Sequence, residues 1–466
     1  MENKLIYDIH DKPKFGQTLL FALQQVLAIL AATILVPAII GNGMSQSAAL
    51  FGAGVGTLVY QLFTKFKSPV FLGSSFAFIG SMFAAFGGAA SASAGHAGLI
   101  LGAALAGLVY VVIAIIVKFA GVAWINKLMP AVVIGPTVAL IGLSLAVNAV
   151  NDLTVGKVMV EQVDQVIVDG AIVEQVSMVS GCSPYVALIC GLVTMFSIFA
   201  FSVYGKKMAK LIPFILSIII GYIVASVFTV IGIATENVAL QVINFAAFKD
   251  MQIFAVPGFS FIEAIKGVKE IDASFIATVA VAYVPVAFVV FAEHIADHKN
   301  LSSIIGRDLL EEPGLHRTLL GDGVGSIAGA FFGGCPNTTY GESVGCVAIT
   351  RNASVVTITT TAIMSMVISF FGPFVTFLSS IPNCVMGGVC IALYGFIAVS
   401  GLKMLQQVDL GESRNLFVVS SILIPGIGGL SLTFGKVTIT TIACALILGI
   451  VANIFLNKFN KAAKED

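Results

Sequence analysis

Long apolar runs of helical length dominate the chain, and polar residues collect in the gaps between them. A helix that crosses a bilayer needs about 20 mostly apolar residues. Runs of that kind lie at 17–41, 46–64, 98–118, 128–149, 184–204, 211–233, 273–296, 354–379, 384–402, 413–429 and 437–457. Three further segments are interrupted. Residues 70–87 are short and broken by Gly73, Ser74 and Ser75; residues 316–334 carry Asp322 and several glycines; residues 335–351 are too polar for a lipid-facing helix. Counting all of them, the pattern predicts an all-α polytopic membrane protein of fourteen spans. The GSSFAF and TTYGE stretches each fall in the third span of a seven-span half. An odd number of spans per half makes the two halves inverted repeats. Paired, broken segments at matching places point to the substrate site of a secondary transporter.

Composition removes other classes. Of the 466 residues, 58% are hydrophobic and only 10% charged, against about 25% charged in soluble domains. Mean hydropathy is +1.03. A soluble enzyme, a nucleic-acid binder and a disordered scaffold are thereby disfavoured, and a β-barrel would show short alternating strands instead. Net charge is zero, so no nucleic-acid partner is expected. Most of the seven cysteines sit inside apolar runs and read as packing residues, without a disulfide framework or zinc site. The first run, from about Gly16 to Ile40, is too long for a signal sequence. Residues 1–15 read as a short N-terminal tail.

Charge placement tests the span count. With the N-terminus inside and each span crossing once, 19 of the 24 Lys and Arg residues fall on the cytoplasmic side. Lys157, Lys249, Lys266, Lys269 and Lys436 fall outside. This satisfies the positive-inside rule, and removing one interrupted span would spoil it. Both termini are then cytoplasmic, in a cytoplasmic (inner) membrane. The acidic 150–183 segment is extracellular, and its alternation suggests a small hairpin. Residues 234–272 connect the halves outside the membrane.

Ionisable groups at membrane depth are costly and mark function. The candidates are Glu293, His294, Asp297, Asp322 and Glu342. Glu293 and Asp297 are four apart and share a helix face. Two such close carboxylates do not both ionise easily in a low dielectric, which suits proton carriage; the alternative is two hydrated groups at a helix end. His294 lies on another face and reads as a packing or helix-orienting residue. For Asp322 a structural helix-to-helix hydrogen bond competes with a proton role. Glu342 follows a run from Pro336 to Gly341 that breaks a helix. Freed backbone groups at such a break line a cavity or bind something. Ser75 and Phe76 flank the other break. A carboxylate, backbone N–H groups, a hydroxyl and the rings of Phe76 and Tyr340 suit a small, flat, neutral molecule with N–H and C=O groups. The set suits an anion or a metal ion poorly, because no Lys or Arg lies within a span and the carboxylates are few.

PNTTYGESVGCVAITR (336–351), GSSFAF (73–78), AEHIADH (292–298), EEPGLHR (311–317) and CVMGGVCIALYGFIAVSG (384–401) closely resemble the nucleobase–ascorbate transporter family, nearest its uracil permease branch. The resemblance runs from about residue 14 to 455. It implies a core domain of spans 1–4 (16–120) and 8–11 (273–379). It implies a gate domain of spans 5–7 (121–233) and 12–14 (380–458), with a C-terminal tail at 459–466. Proton-driven symport and a homodimer are also implied, with no cofactor beyond the co-transported proton. Carried over by residue, the substrate-facing glutamates are Glu293 and Glu342, and Asp297 follows the first by four. Ser75, Phe76, Tyr340 and Gly341 match stretches that contact the base, Ala32 a pocket-wall position, and Tyr394 an aromatic that closes over the substrate. Two positions depart from the family pattern: Ser343 stands where Asn is usual, and Gln25 where His often follows a Gln.

The resulting expectation is a membrane-embedded, proton-coupled importer of uracil, and not an enzyme. A xanthine or urate permease of the same family is the nearest alternative, and an anion transporter of the same fold a remoter one.

Overall fold

The computed structural model describes residues 5–121, 124, 130–168, 171–206, 208–249, 251–434 and 437–465. Lys4, Lys127, Lys207, Lys436 and Asp169, the start of the 128–149 run and the last residue of the C-terminal tail lie outside the described residues. In chain order the elements are α1 (Phe15–Ile40), α2 (Gln46–Phe63), β1 (Leu72–Ser74), α3 (Ile79–Gly87), α4 (Ala92–Ala120), α5 (Ala131–Ser144) and α6 (Ala146–Asp152). Then come β2 (Met159–Val168), β3 (Ala171–Ser180), α7 (Pro184–Tyr204), α8 (Met208–Leu211), α9 (Pro213–Ala234), α10 (Ser260–Gly267) and α11 (Ala273–Ile305). The remainder is α12 (Leu315–Gly333), β4 (Asn337–Thr339), α13 (Gly341–Thr350), α14 (Val355–Ile368), α15 (Gly372–Ser380), α16 (Asn383–Leu405), α17 (Ser413–Ile427), β5 (Leu432–Phe434), β6 (Val437–Ile439) and α18 (Thr441–Glu465).

Among the described residues, seven helical stretches are long and apolar enough to cross a membrane: α1, α4, Ala131–Asp152, α7, α9, α11 and α16. The chain is a mostly helical, multi-pass membrane protein. Two compact units form. One contains Met1–Ser144, Ala255–Phe371 and Tyr394–Asp466; the other contains Leu145–Phe254 and Gly372–Leu393.

Within the first unit the element order repeats. Two helices, a three-residue strand and two helices occur first as α1, α2, β1, α3, α4 and again as α11, α12, β4, α13, α14. The strands pair antiparallel, with Leu72 opposite Thr339, Gly73 opposite Thr338 and Ser74 opposite Asn337. So short a ladder leaves backbone groups unpaired inside the unit, where they must find partners. Side chains provide them. Thr57 Oγ1 accepts from the Leu72 N–H at 2.9 Å, Ser326 Oγ accepts from the Asn337 N–H at 3.0 Å, and the Gln61 amide donates to the Ser68 carbonyl at 2.9 Å.

Around the ladder, helices approach through glycines. A Cβ on Gly52 would lie 2.4 Å from the Gly329 carbonyl oxygen, so α2 and α12 pack at backbone distance. Helix ends follow local chemistry. Asp272 caps α11 by accepting from the Phe275 N–H at 2.7 Å, and left-handed Gly306 ends it.

In the second unit, β2 and β3 form an antiparallel hairpin over 159–180, the one suggested by the alternation in the 150–183 segment. Tyr222 on α9 hydrogen-bonds Ser380 on α15 at 2.8 Å.

The single run expected at 354–379 is two helices, α14 and α15. The Gly372–Pro373 pair supplies the break. Proline has no N–H to continue the helix and restricts the residue before it. The 70–87 and 335–351 segments are each a strand followed by a short helix, matching the extended stretches expected there.

Candidate functional site

The β1–β4 ladder sets the site. Immediately after β4, Tyr340 is extended and starts α13, so Glu342 falls in that helix's first turn. A carboxylate is favoured there by the exposed N–H groups and the helix dipole. Tyr340 is buried. Its hydroxyl donates to the Ser74 carbonyl at 2.8 Å, and its N–H donates to the Phe71 carbonyl at 3.2 Å. The ring occupies the space that a side chain on residue 73 would fill, since a Cβ on Gly73 would meet it at 2.3 Å. Ser75 continues past β1, its N–H donating to the Pro336 carbonyl at 2.9 Å.

Glu293 and Asp297 reach the same region from α11, and both are half-buried. Asp297 accepts from the Thr339 hydroxyl at 2.8 Å, which ties α11 to the end of β4. Gly341 lies beside the same carboxylate, where a Cβ would stand 4.0 Å from Oδ1. Glu293 lies one turn before Asp297 on α11, which packs against both β4 and α13. Phe76 and Tyr394 meet edge to face, ring centroids 6.3 Å apart. Ala32 is buried in α1, which packs on β1. The structure thus brings Glu293, Asp297, Tyr340, Gly341 and Glu342 together, with Ser75 at the paired break. Phe76 and Tyr394 form their own contact, and Ala32 lies in the supporting wall.

The two departures from the family pattern touch each other. The buried Gln25 amide donates to the Ser343 hydroxyl, and to the Ser343 carbonyl at 3.4 Å. A second buried network stands behind Glu293. His294 Nδ1 is 2.6 Å from Asp322 Oδ2, and its Nε2 is 3.0 Å from the Thr318 hydroxyl. His294 on α11 and Asp322 on α12 thus make a helix-to-helix hydrogen bond. Neighbouring His298 bonds the His294 carbonyl through Nδ1 at 2.8 Å and the Tyr60 hydroxyl through Nε2 at 2.7 Å.

Sequence reasoning passed over Thr339, although it lies inside the TTYGE stretch beside Glu342. It also passed over Tyr60, which no local pattern distinguishes from a packing aromatic. Among the described residues no group of three or more His, Cys, Asp or Glu is placed to hold a metal ion.

A family model described as "Permease family", for xanthine and uracil permeases, matches residues 16–435. The chain belongs to this family, the nucleobase–ascorbate transporters. It is 37% identical over 465 residues to the uracil permease of Bacillus caldolyticus, covering 99% of this chain and 97% of that one. It is 36% identical to the uracil permease of Bacillus subtilis (strain 168), over 98% of this chain and 96% of that one. In structure the permease resembles the transmembrane domain of a cyanobacterium bicarbonate transporter, BicA. The TM-score is 0.55 at 14% identity, over 96% of this chain and 99% of that domain. That likeness speaks for the fold alone. The permease is a transporter and not an enzyme.

Proposed function

We propose that this permease imports uracil by proton symport. The reading is supported by the packing of α11, which carries Glu293 and Asp297, against β4 and against α13, which carries Glu342, at the paired chain breaks. Glu342 accepts the ring N–H groups of the base. Backbone N–H groups near Phe76 and Gly341 hold its carbonyls, the Phe76 ring lies against the base, and Tyr394 closes over it. Glu293 binds the base, directly or through water, and shares the transported proton with Asp297. The uracil permease names of the full-length relatives support the choice of base.

The wider arrangement belongs to the same reading. Fourteen spans form two inverted repeats in the cytoplasmic membrane, both termini inside, and the chain works as a homodimer. A gate domain (121–233 and 380–458) rocks against a core domain (16–120 and 273–379) to alternate access around a fixed site.

The test is uptake of labelled uracil and xanthine into proteoliposomes at pH 5.5 and 8, with and without a protonophore. Uracil uptake that collapses with the protonophore is expected. Saturable xanthine uptake without uracil uptake overturns the choice of base. Uptake indifferent to the protonophore but dependent on sodium overturns the choice of ion. Asp297→Asn is expected to keep uracil exchange and lose net accumulation.

A further inference from the structure

The segment before α1, read from the sequence only as a short tail, pairs with the connector that follows α13. Ile6 and Tyr7 both donate N–H bonds to the Arg351 carbonyl, at 2.8 and 3.3 Å. The Ala353 N–H donates to the Tyr7 carbonyl at 2.9 Å, and the Val355 N–H to the Ile9 carbonyl at 3.0 Å. The Ser354 hydroxyl donates to the Asp11 carbonyl at 2.6 Å. Tyr7 and Asn352 thereby form a parallel bridge. This ribbon grips the connector at the end of α13, the short helix that carries Glu342. Arg351 ends that helix with φ +55°, so a non-glycine residue is held in the left-handed region.

Ile9 is the ribbon's anchor. It is 3% exposed and belongs to one apolar cluster with Val344 and Val347 of α13 and Leu301 and Ile305 of α11. Leu72 of β1 belongs to the same cluster. An Asp8–Arg307 ion pair fastens the ribbon just beyond the end of α11. One short segment therefore shares an apolar cluster with both helices that carry the candidate carboxylates and with β1, one of the two paired strands.

We propose that residues 5–11 are a positioning strap: they set the spacing between α11 and α13, and hence between Glu293, Asp297 and Glu342, which fixes affinity for the base. The proposal rests on the transport reading above. A helix of ten residues with a broken start has little rigidity of its own. Its far end must be held if a carboxylate at its near end is to keep its place, and small displacements at a binding constellation are costly.

The test uses the full chain, purified, with wild type, Ile9→Asp, Ile9→Val and Arg307→Gln compared. Uracil binding is measured calorimetrically, and backbone hydrogen exchange is followed over 341–355. Ile9→Asp is expected to weaken uracil binding about fivefold or more, a fraction of what burying the isoleucine contributes. Exchange over 344–353 should rise in the same variant. Ile9→Val should restore both, and Arg307→Gln, on the surface and so folding normally, should show the smaller shift in the same direction. Unchanged affinity together with unchanged exchange in Ile9→Asp and Arg307→Gln overturns the strap. If wild type itself does not bind uracil, the choice of substrate fails, while the exchange data still decide whether the strap holds α13.

Discussion

Glu342 can accept two N–H groups of a flat ring while its helix start favours the charge. Glu342→Gln keeps the shape and replaces one acceptor with a donor. A hydrogen bond to a charged group contributes about 1.5–3 kcal/mol, so uracil affinity is expected to fall about 10- to 150-fold. Equilibrium binding measures this, and an unchanged affinity would remove Glu342 from the site. Gln25 and Ser343 allow a sharper test because they meet directly. A double-mutant cycle of Gln25→Ala and Ser343→Ala, read in thermal unfolding, should give a coupling of about 0.5–1.5 kcal/mol. Additive effects would show that the contact carries no energy. The scarcity of charge made Glu293, Asp297 and Glu342 legible in the sequence, because few acidic groups lie in apolar runs. The Gln25–Ser343 contact was not legible, because each residue registers only as a departure from a pattern and 318 positions separate them.

At the scale of elements, the breaks near residues 73 and 337 could be read directly, since glycine, serine and proline interrupt otherwise spanning runs. What satisfies the broken backbone could not. Thr57 and Ser326 lie in glycine-rich helices and resemble ordinary small packing residues until the strands are placed beside them. The 354–379 run shows the opposite failure. Its hydrophobicity is continuous, and only the Gly372–Pro373 pair records that the chain turns there. Gly73 yields the clearest prediction of this kind. Gly73→Ala drives a methyl into the Tyr340 ring and should destabilise the permease by about 1–3 kcal/mol, the usual range for overpacking. A lowered unfolding midpoint, with the loss relieved by Tyr340→Leu, checks it. Thr57→Val leaves the Leu72 N–H without its acceptor and should cost about 1–3 kcal/mol in the same assay.

For the whole molecule, the proposed proton coupling sets how far the substrate can be concentrated. One charge moving down about 100 mV releases roughly 2.3 kcal/mol, which supports about 50-fold accumulation before any pH gradient is added. Vesicles with an imposed potential and equal pH on both sides should approach that ratio, and equilibration without accumulation would exclude charge-coupled import. The ladder at the centre of the first unit also governs how the protein is made. Ser74 and Tyr340 are 266 positions apart, so a ribosome adding about 5–20 residues each second places them about 13–53 s apart. For that interval β1 sits in a half-built protein with no strand beside it. Thr57 and Gln61 belong to the same early segment and can occupy the Leu72 N–H and the Ser68 carbonyl before the second half emerges. Those two contacts need nothing from the second half, whereas the Phe71 carbonyl and the Ser75 N–H wait for Tyr340 and Pro336.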